Sequence, residues 1–215
     1  YNVQSIAYSP NGAMIAAGSR YDCVRVFTSD GDLVKEIEDT SRHASLEFTP
    51  DSKRLIVPSR KAIPGWTGKE GFIREWDIAT FKNPVNYLES NQVWISNYTL
   101  ATCAPDGSYY ATCGNSAHYP IEIIEPVSGR SLLKLTQSRD RVNSLAISPN
   151  SEALATAYND GTIGYWRLTS TEPGHLEQSG RPQIIEAHQG KVNDIEFASN
   201  THLLTCSTDG KIVCH

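Results

Sequence analysis

The strongest structural signal in the sequence lies in residues 142–166, which read VNSLAISPNSEALATAYNDGTIGYW. At the centre of this stretch, Pro149 presets a backbone φ of about −65°, and the Asn-Ser pair after it tolerates the positive φ that a tight reversal needs. The run Ala153–Ala157 after the turn is small and apolar, which is typical of a strand that faces a closely packed neighbour. A third segment, Thr162–Trp166, ends in a large aromatic residue. The stretch therefore predicts three β-strands in succession.

The same kind of turn recurs along the chain. Its copies share a Pro, or a Ser in the last one, and they begin at Ser9, Thr49, Ala104, Ser148 and Ala198. The second residues of successive turns are 40, 55, 44 and 50 positions apart. The sequence is therefore a repeat array with a unit of about 40 to 45 residues, and two of its units carry insertions.

Each complete repeat contains four segments with strand character and none with a helical period. An alternating segment precedes the turn, as in Val3–Tyr8 and Val192–Phe197, and an amphipathic segment follows the third strand, as in Leu33–Ile37. A single four-stranded antiparallel sheet is too small to bury its own face, so such sheets pack side by side. The predicted fold is all-β, a β-propeller built of four-stranded antiparallel blades.

The repeats resemble the WD-repeat family of β-propellers over essentially the whole chain. Trp76-Asp77 is the name motif of that family in its usual place, at the end of a third strand. The last unit resembles the consensus most closely, with Ala187-His188 in place of Gly-His and with Ser207–Ile212 in register. The resemblance implies a hydrogen-bond chain in each blade, which joins a His before the first strand, a Ser or Thr on the second, an Asp in the next turn and a Trp on the third.

The resemblance also implies which residues form this structural network in the last two units. They are His188, Thr205 and Asp209, and Thr156, Asp160 and Trp166. His215 occupies the Trp position of the last unit, and Ser138 occupies the His position of the fourth. Since no unit has all four residues, we expect the network in divergent forms.

We interpret residues 1–215 as a single WD-repeat propeller segment of about five units. Their approximate bounds are 1–38, 39–89, 90–137, 138–187 and 188–215, and the last is incomplete. Family members usually have seven blades, which need about 290 residues. We therefore expect part of a seven-bladed propeller, with the missing blades supplied by the rest of the chain or by another subunit. A closed five-bladed ring is the alternative.

Composition and charge limit the classes of partner and the cellular compartment that we expect. With 19 Lys and Arg against 24 Asp and Glu, the formal net charge is −5, so we expect no nucleic-acid binding by broad phosphate neutralisation. No apolar run is long enough for a membrane span, and the first residues do not resemble a signal peptide. The five cysteines form no CxxC pair. They predict reduced thiols in an intracellular protein, cytoplasmic or nuclear.

The sequence offers no motif for catalysis. It lacks GxSxG, a P-loop and GxGxxG, and its six histidines show neither HxH nor HxxxH spacing. His188 and Asp209 would suit an acid–base pair, but the resemblance places both in a turn-locking network. We expect a protein that is not an enzyme and has no cofactor and no metal. A propeller hydrolase with its site in the central channel is the less favoured alternative.

The predicted function is a protein–protein interaction scaffold that presents loop residues to protein or peptide partners. The relevant face carries the loops from fourth to first strands and from second to third strands. Its candidate contacts are Arg20, Tyr21, Arg42, Arg60, Trp66, Trp94, Arg139, Arg141, Tyr158 and Lys191. Such a basic rim suits an acidic or phosphorylated peptide, although ordinary solvated loop charges would look the same. A sensory or autoinhibitory propeller of a larger multidomain signalling protein is the second hypothesis.

Two insertions interrupt the repeat. Residues 59–71 add about nine residues between the second and third strands of unit two. They include Trp66, the best single anchor candidate, unless it folds back onto its own blade. Residues 169–181 are predicted to form a flexible loop on the opposite face, or a site of modification or cleavage.

Overall fold

The computed structural model of the chain describes residues 3–19, 23–38, 45–62, 69–81, 85–87, 99–114, 120–126, 128–136, 140–172 and 174–215. The regular structure in these ranges is β-strand throughout, in twenty strands that form five small sheets. The prediction of an all-β fold, a β-propeller built of antiparallel blades, is confirmed. No helix among the described residues is long and apolar enough to cross a membrane.

The chain divides into two compact units, the first of which is Tyr1–Cys103. Sheet 1 consists of β1 (Val3–Tyr8), β2 (Met14–Ser19), β3 (Val24–Thr28) and β4 (Leu33–Ile37), hydrogen-bonded in that order. Sheet 2 consists of β5 (Glu47–Phe48), β6 (Arg54–Ala62), β7 (Lys69–Asp77) and β8 (Val85–Tyr87), also in chain order. The unit ends with β9 (Thr99–Cys103), which belongs to sheet 3.

The second unit is Ala104–His215. Sheet 3 continues here with β10 (Tyr110–Gly114), β11 (Ile121–Ile124) and β12 (Ser131–Leu135). Sheet 4 contains β13 (Val142–Ile147), β14 (Ala153–Tyr158), β15 (Thr162–Glu172), β16 (His175–Gln178) and β17 (Gln183–Glu186). Sheet 5 contains β18 (Val192–Phe197), β19 (Leu203–Ser207) and β20 (Ile212–Cys214).

The recurring turn joins the first two strands of each repeat, as predicted. In the turn at Ser148, the side chain of Ser148 donates to Asn150 Oδ1 at 2.7 Å and accepts the backbone N–H of Ala153 at 2.9 Å. The fourth residue of four turns has a positive φ, namely Gly12, Ser52, Gly107 and Ser151. Proline followed by Asn or Asp therefore sets the reversal in the way the sequence indicates.

A hydrogen bond from turn to turn links neighbouring sheets within each unit. The backbone N–H of Asn11 donates to Ser52 Oγ at 3.0 Å in the first unit. In the second unit, Asn150 N–H donates to Asn200 Oδ1 at 3.0 Å. The third residue of one turn is thus held by a side chain of the next turn along the chain.

Apolar faces of neighbouring sheets form the core of each unit. One buried cluster joins sheets 1 and 2 and includes Ala16, Val24, Val26, Phe48, Leu55 and Val57. Another joins sheets 4 and 5 and includes Ala146, Ala155, Ala157, Ile163, Val192, Ile195 and Leu203. The alanines on the second strands let the sheets approach closely, and each fully buried aliphatic side chain contributes about 1.5–3 kcal/mol.

Both insertions extend strands. In the first, β6 and β7 stay paired beyond the blade, from Ser59 opposite Phe72 to Ala62 opposite Lys69. In the second, β15 and β16 form a hairpin in which Thr169 pairs with Glu177. The prediction of a flexible loop at residues 169–181 is wrong, because the backbone of this segment pairs with itself in an antiparallel ladder.

Glycine is required at position 161, where φ is +90°. The Gly161 carbonyl accepts the N–H of His188 at 3.0 Å, and a Cβ at Gly161 would lie 2.4 Å from the carbonyl oxygen of His188. We therefore expect Gly161→Ala to lower the free energy of unfolding by about 3 kcal/mol, because it combines left-handed strain with a backbone clash. Chemical denaturation monitored by tryptophan fluorescence measures the change.

Gly180→Ala is the matched control for this substitution. Gly180 also has a positive φ, +77°, but a Cβ there meets nothing within 4 Å. Its cost is expected to stay near 1 kcal/mol, the strain alone. Equal losses in the two variants would show that the approach of residues 161 and 188 is not a tight constraint.

Candidate functional site

The candidate site lies where sheets 4 and 5 present the loops before their first strands and after their second strands. We call residues 140–141, 159–161, 188–191 and 207–211 the loop rim of the second unit. Asn159 N–H donates to the carbonyl of Arg141 at 3.0 Å, and Thr208 N–H donates to the carbonyl of Lys191 at the same distance. Arg141 and Lys191 therefore occupy equivalent positions in neighbouring blades, each fixed by the turn of its own sheet.

A buried hydrogen-bond chain supports the rim in sheet 5. His188 Nδ1 lies 3.0 Å from Asp209 Oδ2, and His188 Nε2 lies 2.7 Å from Thr205 Oγ1. Thr205 Oγ1 in turn lies 3.1 Å from His215 Nε2. Because a carboxylate only accepts, His188 donates to Asp209 through Nδ1–H and accepts the Thr205 hydroxyl at Nε2. His215 Nε2–H then donates to Thr205, as an indole N–H would.

This geometry gives His188 a structural role. Its side chain is 0% exposed, and both ring nitrogens are engaged by protein groups. Partial desolvation raises the pKa of Asp209, but hydrogen bonds from Lys211 N–H, His188 and Gln189 N–H outweigh it, so the pKa lies below its usual value. The ionised carboxylate thereby locks the loop before β18 onto the turn after β19.

Sheet 4 contains a variant of the same network. Trp166 Nε1 donates to Thr156 Oγ1 at 3.3 Å. Asp160 Oδ1 accepts both the N–H and the hydroxyl of Thr162 at 2.9 and 2.6 Å, so it closes its own turn. Ser138, at the His position, lies outside the described residues.

The prediction that Tyr158 contacts a partner is wrong. The sequence placed it among the partner contacts, but its side chain is 0% exposed. A Cβ at Gly164 would lie 2.5 Å from Thr156 Oγ1, 3.0 Å from the Tyr158 hydroxyl and 3.1 Å from Trp166 Nε1. The three polar atoms surround one point, so Tyr158 belongs to the buried cluster of sheet 4 and Gly164 leaves the room for it.

Among the described residues of sheet 2, none supplies a hydrogen-bond acceptor for Trp76. Trp76 pairs across from Leu55, as Trp166 does from Leu154. The hydroxyl in sheet 4 comes from Thr156, two residues after Leu154, and the corresponding residue in sheet 2 is Val57. Trp76 Nε1 is accordingly buried with no hydrogen-bond partner among the described residues. This difference follows from the strand register, which places Val57 where sheet 4 has Thr156.

The remaining candidate contacts are placed as follows. Arg141 is exposed and Lys191 is half-buried. The backbone of Arg60 lies on the extended part of β6. The other candidates lie outside the described residues, namely Arg20, Tyr21, Arg42, Trp66, Trp94 and Arg139. The loop rim therefore contains two of the predicted cations, Arg141 and Lys191.

The cysteine and metal chemistry of the described residues is simple. No disulfide joins any of the five cysteines. Burial raises the pKa of the Cys113 thiol to about 12, so this thiol stays protonated. Within the described ranges, no three His, Cys, Asp or Glu side chains are grouped so as to hold a metal ion.

Comparisons with known proteins agree with this architecture. The family model described as "WD domain, G-beta repeat" matches residues 1–28, 129–167 and 180–215. The chain is 25% identical over 170 residues, 78% of its length, to the Periodic tryptophan protein 2 homolog of Dictyostelium discoideum. It is 23% identical over 215 residues to Periodic tryptophan protein 2 of Arabidopsis thaliana, and 31% identical over 106 residues, 48% of its length, to Protein groucho of Drosophila melanogaster. The matched segments cover 17%, 22% and 14% of these three relatives, respectively.

A hydroxyl at position 57 should satisfy the tryptophan of sheet 2. We expect Val57→Thr to raise the free energy of unfolding by about 1 kcal/mol, because Trp76 Nε1–H gains the acceptor that Thr156 gives Trp166. Val57→Ala, which adds no acceptor and leaves a cavity, is expected to lower it by about 2 kcal/mol. Equilibrium denaturation of the three proteins provides the comparison, and a Thr variant no more stable than the Ala variant would contradict the assignment.

The network of sheet 5 should make stability depend on pH. Burial lowers the pKa of His215, and electrostatic repulsion of a protonated His215 by the neighbouring His188 ring lowers it further. As the pH falls, His215 is therefore protonated in the unfolded chain before it is protonated in the folded chain. Neutral His215 stabilises the fold fully above about pH 6.5, and this stabilisation declines as the pH falls below that value. We expect the Tm to fall between about pH 7.5 and about pH 5.5. His215→Trp should reduce this fall, because an indole donates to Thr205 without titrating.

Differential scanning calorimetry of both proteins at each pH measures the difference. Comparing variant with wild type at the same pH removes other contributions, such as that of Glu196, whose pKa is raised by burial and by Asp194. The control is His175→Gln, since His175 is exposed and pairs with Glu177 on its own hairpin. A His215→Trp profile parallel to that of the wild type would rule out the titration of His215 as a cause.

Proposed function

Because the chain is a WD-repeat β-propeller, we propose that it serves as a non-catalytic protein-interaction scaffold, which presents loop residues to protein or peptide partners. The observation that carries this proposal is the construction of the loop rim. Its backbone is fixed by hydrogen bonds to the sheets, while the side chain of Arg141 is exposed and that of Lys191 half-buried. A backbone fixed in this way binds a partner at a low cost in conformational entropy.

The charges of the rim support an acidic or phosphorylated peptide as the partner. Asp160 and Asp209 are occupied by hydrogen bonds that close their turns. Asp140, the third carboxylate of the rim, accepts the N–H of Arg141 at 2.6 Å. All three carboxylates thus accept hydrogen bonds within their own blades, and Arg141 and Lys191 stand at equivalent positions. Arg binds carboxylate or phosphate through paired N–H groups, and Lys binds them as a point charge.

The proposal includes a location inside the cell, in the cytoplasm or the nucleus, and no cofactor and no nucleic-acid ligand. The five cysteines, none of which forms a disulfide, support a reducing compartment.

A second proposal is that the propeller is a sensory or autoinhibitory part of a larger signalling protein. The relatives favour it in one respect, since the chain spans 15% of Apoptotic protease-activating factor 1 of Danio rerio, to which it is 20% identical over 214 residues.

The rim cations provide the test of the scaffold function. A displayed library of random peptides, half of them with a central phosphoserine, is selected against the chain. We expect acidic and phosphorylated peptides to be enriched, and Arg141→Ala with Lys191→Ala to weaken their binding about tenfold or more, because two charge-assisted contacts are lost. Titration by fluorescence anisotropy measures the dissociation constants.

The control variant removes two positive charges from a surface outside the loop rim. Lys35→Ala with Lys53→Ala also deletes two cations, both exposed and neither on the loop rim. It should bind the selected peptides as the wild type does. Equal weakening in both double variants would indicate a general effect of net charge, and unchanged binding in the rim variant would exclude the rim as the contact surface.

A further inference from the structure

The strand β15 extends beyond the part of sheet 4 in which it pairs with β14. Its partner β14 covers Ile163 to Arg167, from Ala157 opposite Ile163 to Ala153 opposite Arg167. Beyond this point β15 continues to Glu172, where β16 pairs with it. Among the described strands, none pairs with the other edge of β15 after Leu168.

The hydrogen bonds of the peptide unit between Arg167 and Leu168 show which backbone groups of β15 point to its unpaired edge. The carbonyl of Arg167 accepts the N–H of Ser179, on the side of β16, at 2.9 Å. The N–H of Leu168, from the same peptide unit, donates to the carbonyl of Glu152 on the opposite side at 2.8 Å. Because strand residues alternate, the carbonyl of Leu168 and both backbone groups of Ser170 face the same side as the Leu168 N–H. They present the donor and acceptors that a further strand would use.

The open edge is held in place by the neighbouring sheet. Arg130 Nη2 donates to the carbonyl of Gly174, at the hairpin tip, at 3.1 Å, and it lies 3.5 Å from Glu125 Oε1. Leu176 of β16 is buried. Since the hairpin is anchored at its tip and through a buried side chain, its edge is preorganised for pairing.

A cleft of about 700 Å³ runs beside this edge. Leu168, Thr169 and Ser170 line one part of it, and the turns at residues 150–153 and 106–109 line another. This volume is within the usual range for sites that enclose a ligand. An exposed strand edge next to a cleft is the arrangement by which domains take up extended peptides, with backbone bonds along the edge and side chains in the cleft.

The charge of the cleft favours a basic occupant. Asp106 and Glu152 contribute carboxylates, Arg167 contributes one guanidinium, and His175 contributes an imidazole that is paired with Glu177. Burial raises the pKa of Asp106, but hydrogen bonds from Ser108 and Ser151 lower it more, so this carboxyl is ionised at neutral pH. Glu172 adds a further exposed carboxylate at the end of the strand.

We propose that the open edge of β15, at Leu168–Glu172, binds an extended segment of a partner protein by strand addition, with Lys or Arg side chains of that segment in the acidic cleft. This surface is separate from the loop rim, because it lies at the other end of sheet 4, beside the turn at residues 148–151. Its occupant is also opposite in charge to the acidic peptide proposed for the rim.

The test is a selection with a displayed library of random, unphosphorylated peptides of about twelve residues. The expected products carry an excess of Lys and Arg, and their affinity falls at least about tenfold in Ser170→Pro, which removes the edge N–H and places a ring on the edge. Ser170→Ala keeps the N–H and should bind as the wild type does. The rim variant, Arg141→Ala with Lys191→Ala, should also bind these basic peptides normally, which separates this surface from the scaffold function proposed above.

A second variant keeps the proposal testable if the proline disturbs the hairpin. Asp106→Asn with Glu152→Gln retains the backbone edge and removes both carboxylates, and it should weaken the basic peptides while leaving the thermal transition close to that of the wild type. A selection that enriches no basic peptide overturns the proposal, as does binding that neither variant weakens. Self-association of the chain that Ser170→Pro abolishes would also overturn it, because the edge would then serve a second copy.

Discussion

Close packing of one small sheet against the next is the contact on which the rest of this structure depends. A sheet of four short strands cannot cover its own apolar faces, so its stability comes from the neighbouring sheet. Alanines on the second strands, such as Ala155 and Ala157, allow that approach. The close contact between Gly161 and His188 has the same origin, since sheets this near bring their loops into backbone contact. The loops can carry recognition because the sheets beneath them are fixed in this way.

Local chemistry explains why much of the fold could be predicted from the sequence. Each turn with Pro followed by Asn or Asp specifies its own reversal through these two residues, and in three of the four a leading Ser or Thr side chain adds a hydrogen bond, so the pattern can be recognised without a distant partner. The strands around it follow from alternation of apolar residues. The positions of His188, Thr205 and Asp209 follow from the family resemblance, and the structure places these three side chains within hydrogen-bond distance of one another.

Features that depend on contacts distant in sequence could not be predicted. Tyr158 ends a strand next to a turn, which made it look like a loop residue, but it is buried, and its hydroxyl lies beside Gly164, the residue that pairs with Thr156. The insertion at residues 169–181 is polar and contains Pro173 and Gly174, which are typical of a loop. Its hairpin is stabilised by Arg130, more than forty residues away in the chain. Neither contact leaves a periodic signal in the sequence.

The hydrogen bonds between successive turns affect how each unit unfolds. The amide of Asn11 is held by a side chain of sheet 2, and that of Asn150 by a side chain of sheet 5. Opening one sheet therefore deprives its neighbour of a bond at the turn as well as of its apolar cover. Nearest-neighbour coupling of this kind makes the loss of one blade lower the barrier to losing the next, so that the blades of a unit behave as a single cooperative element in hydrogen exchange.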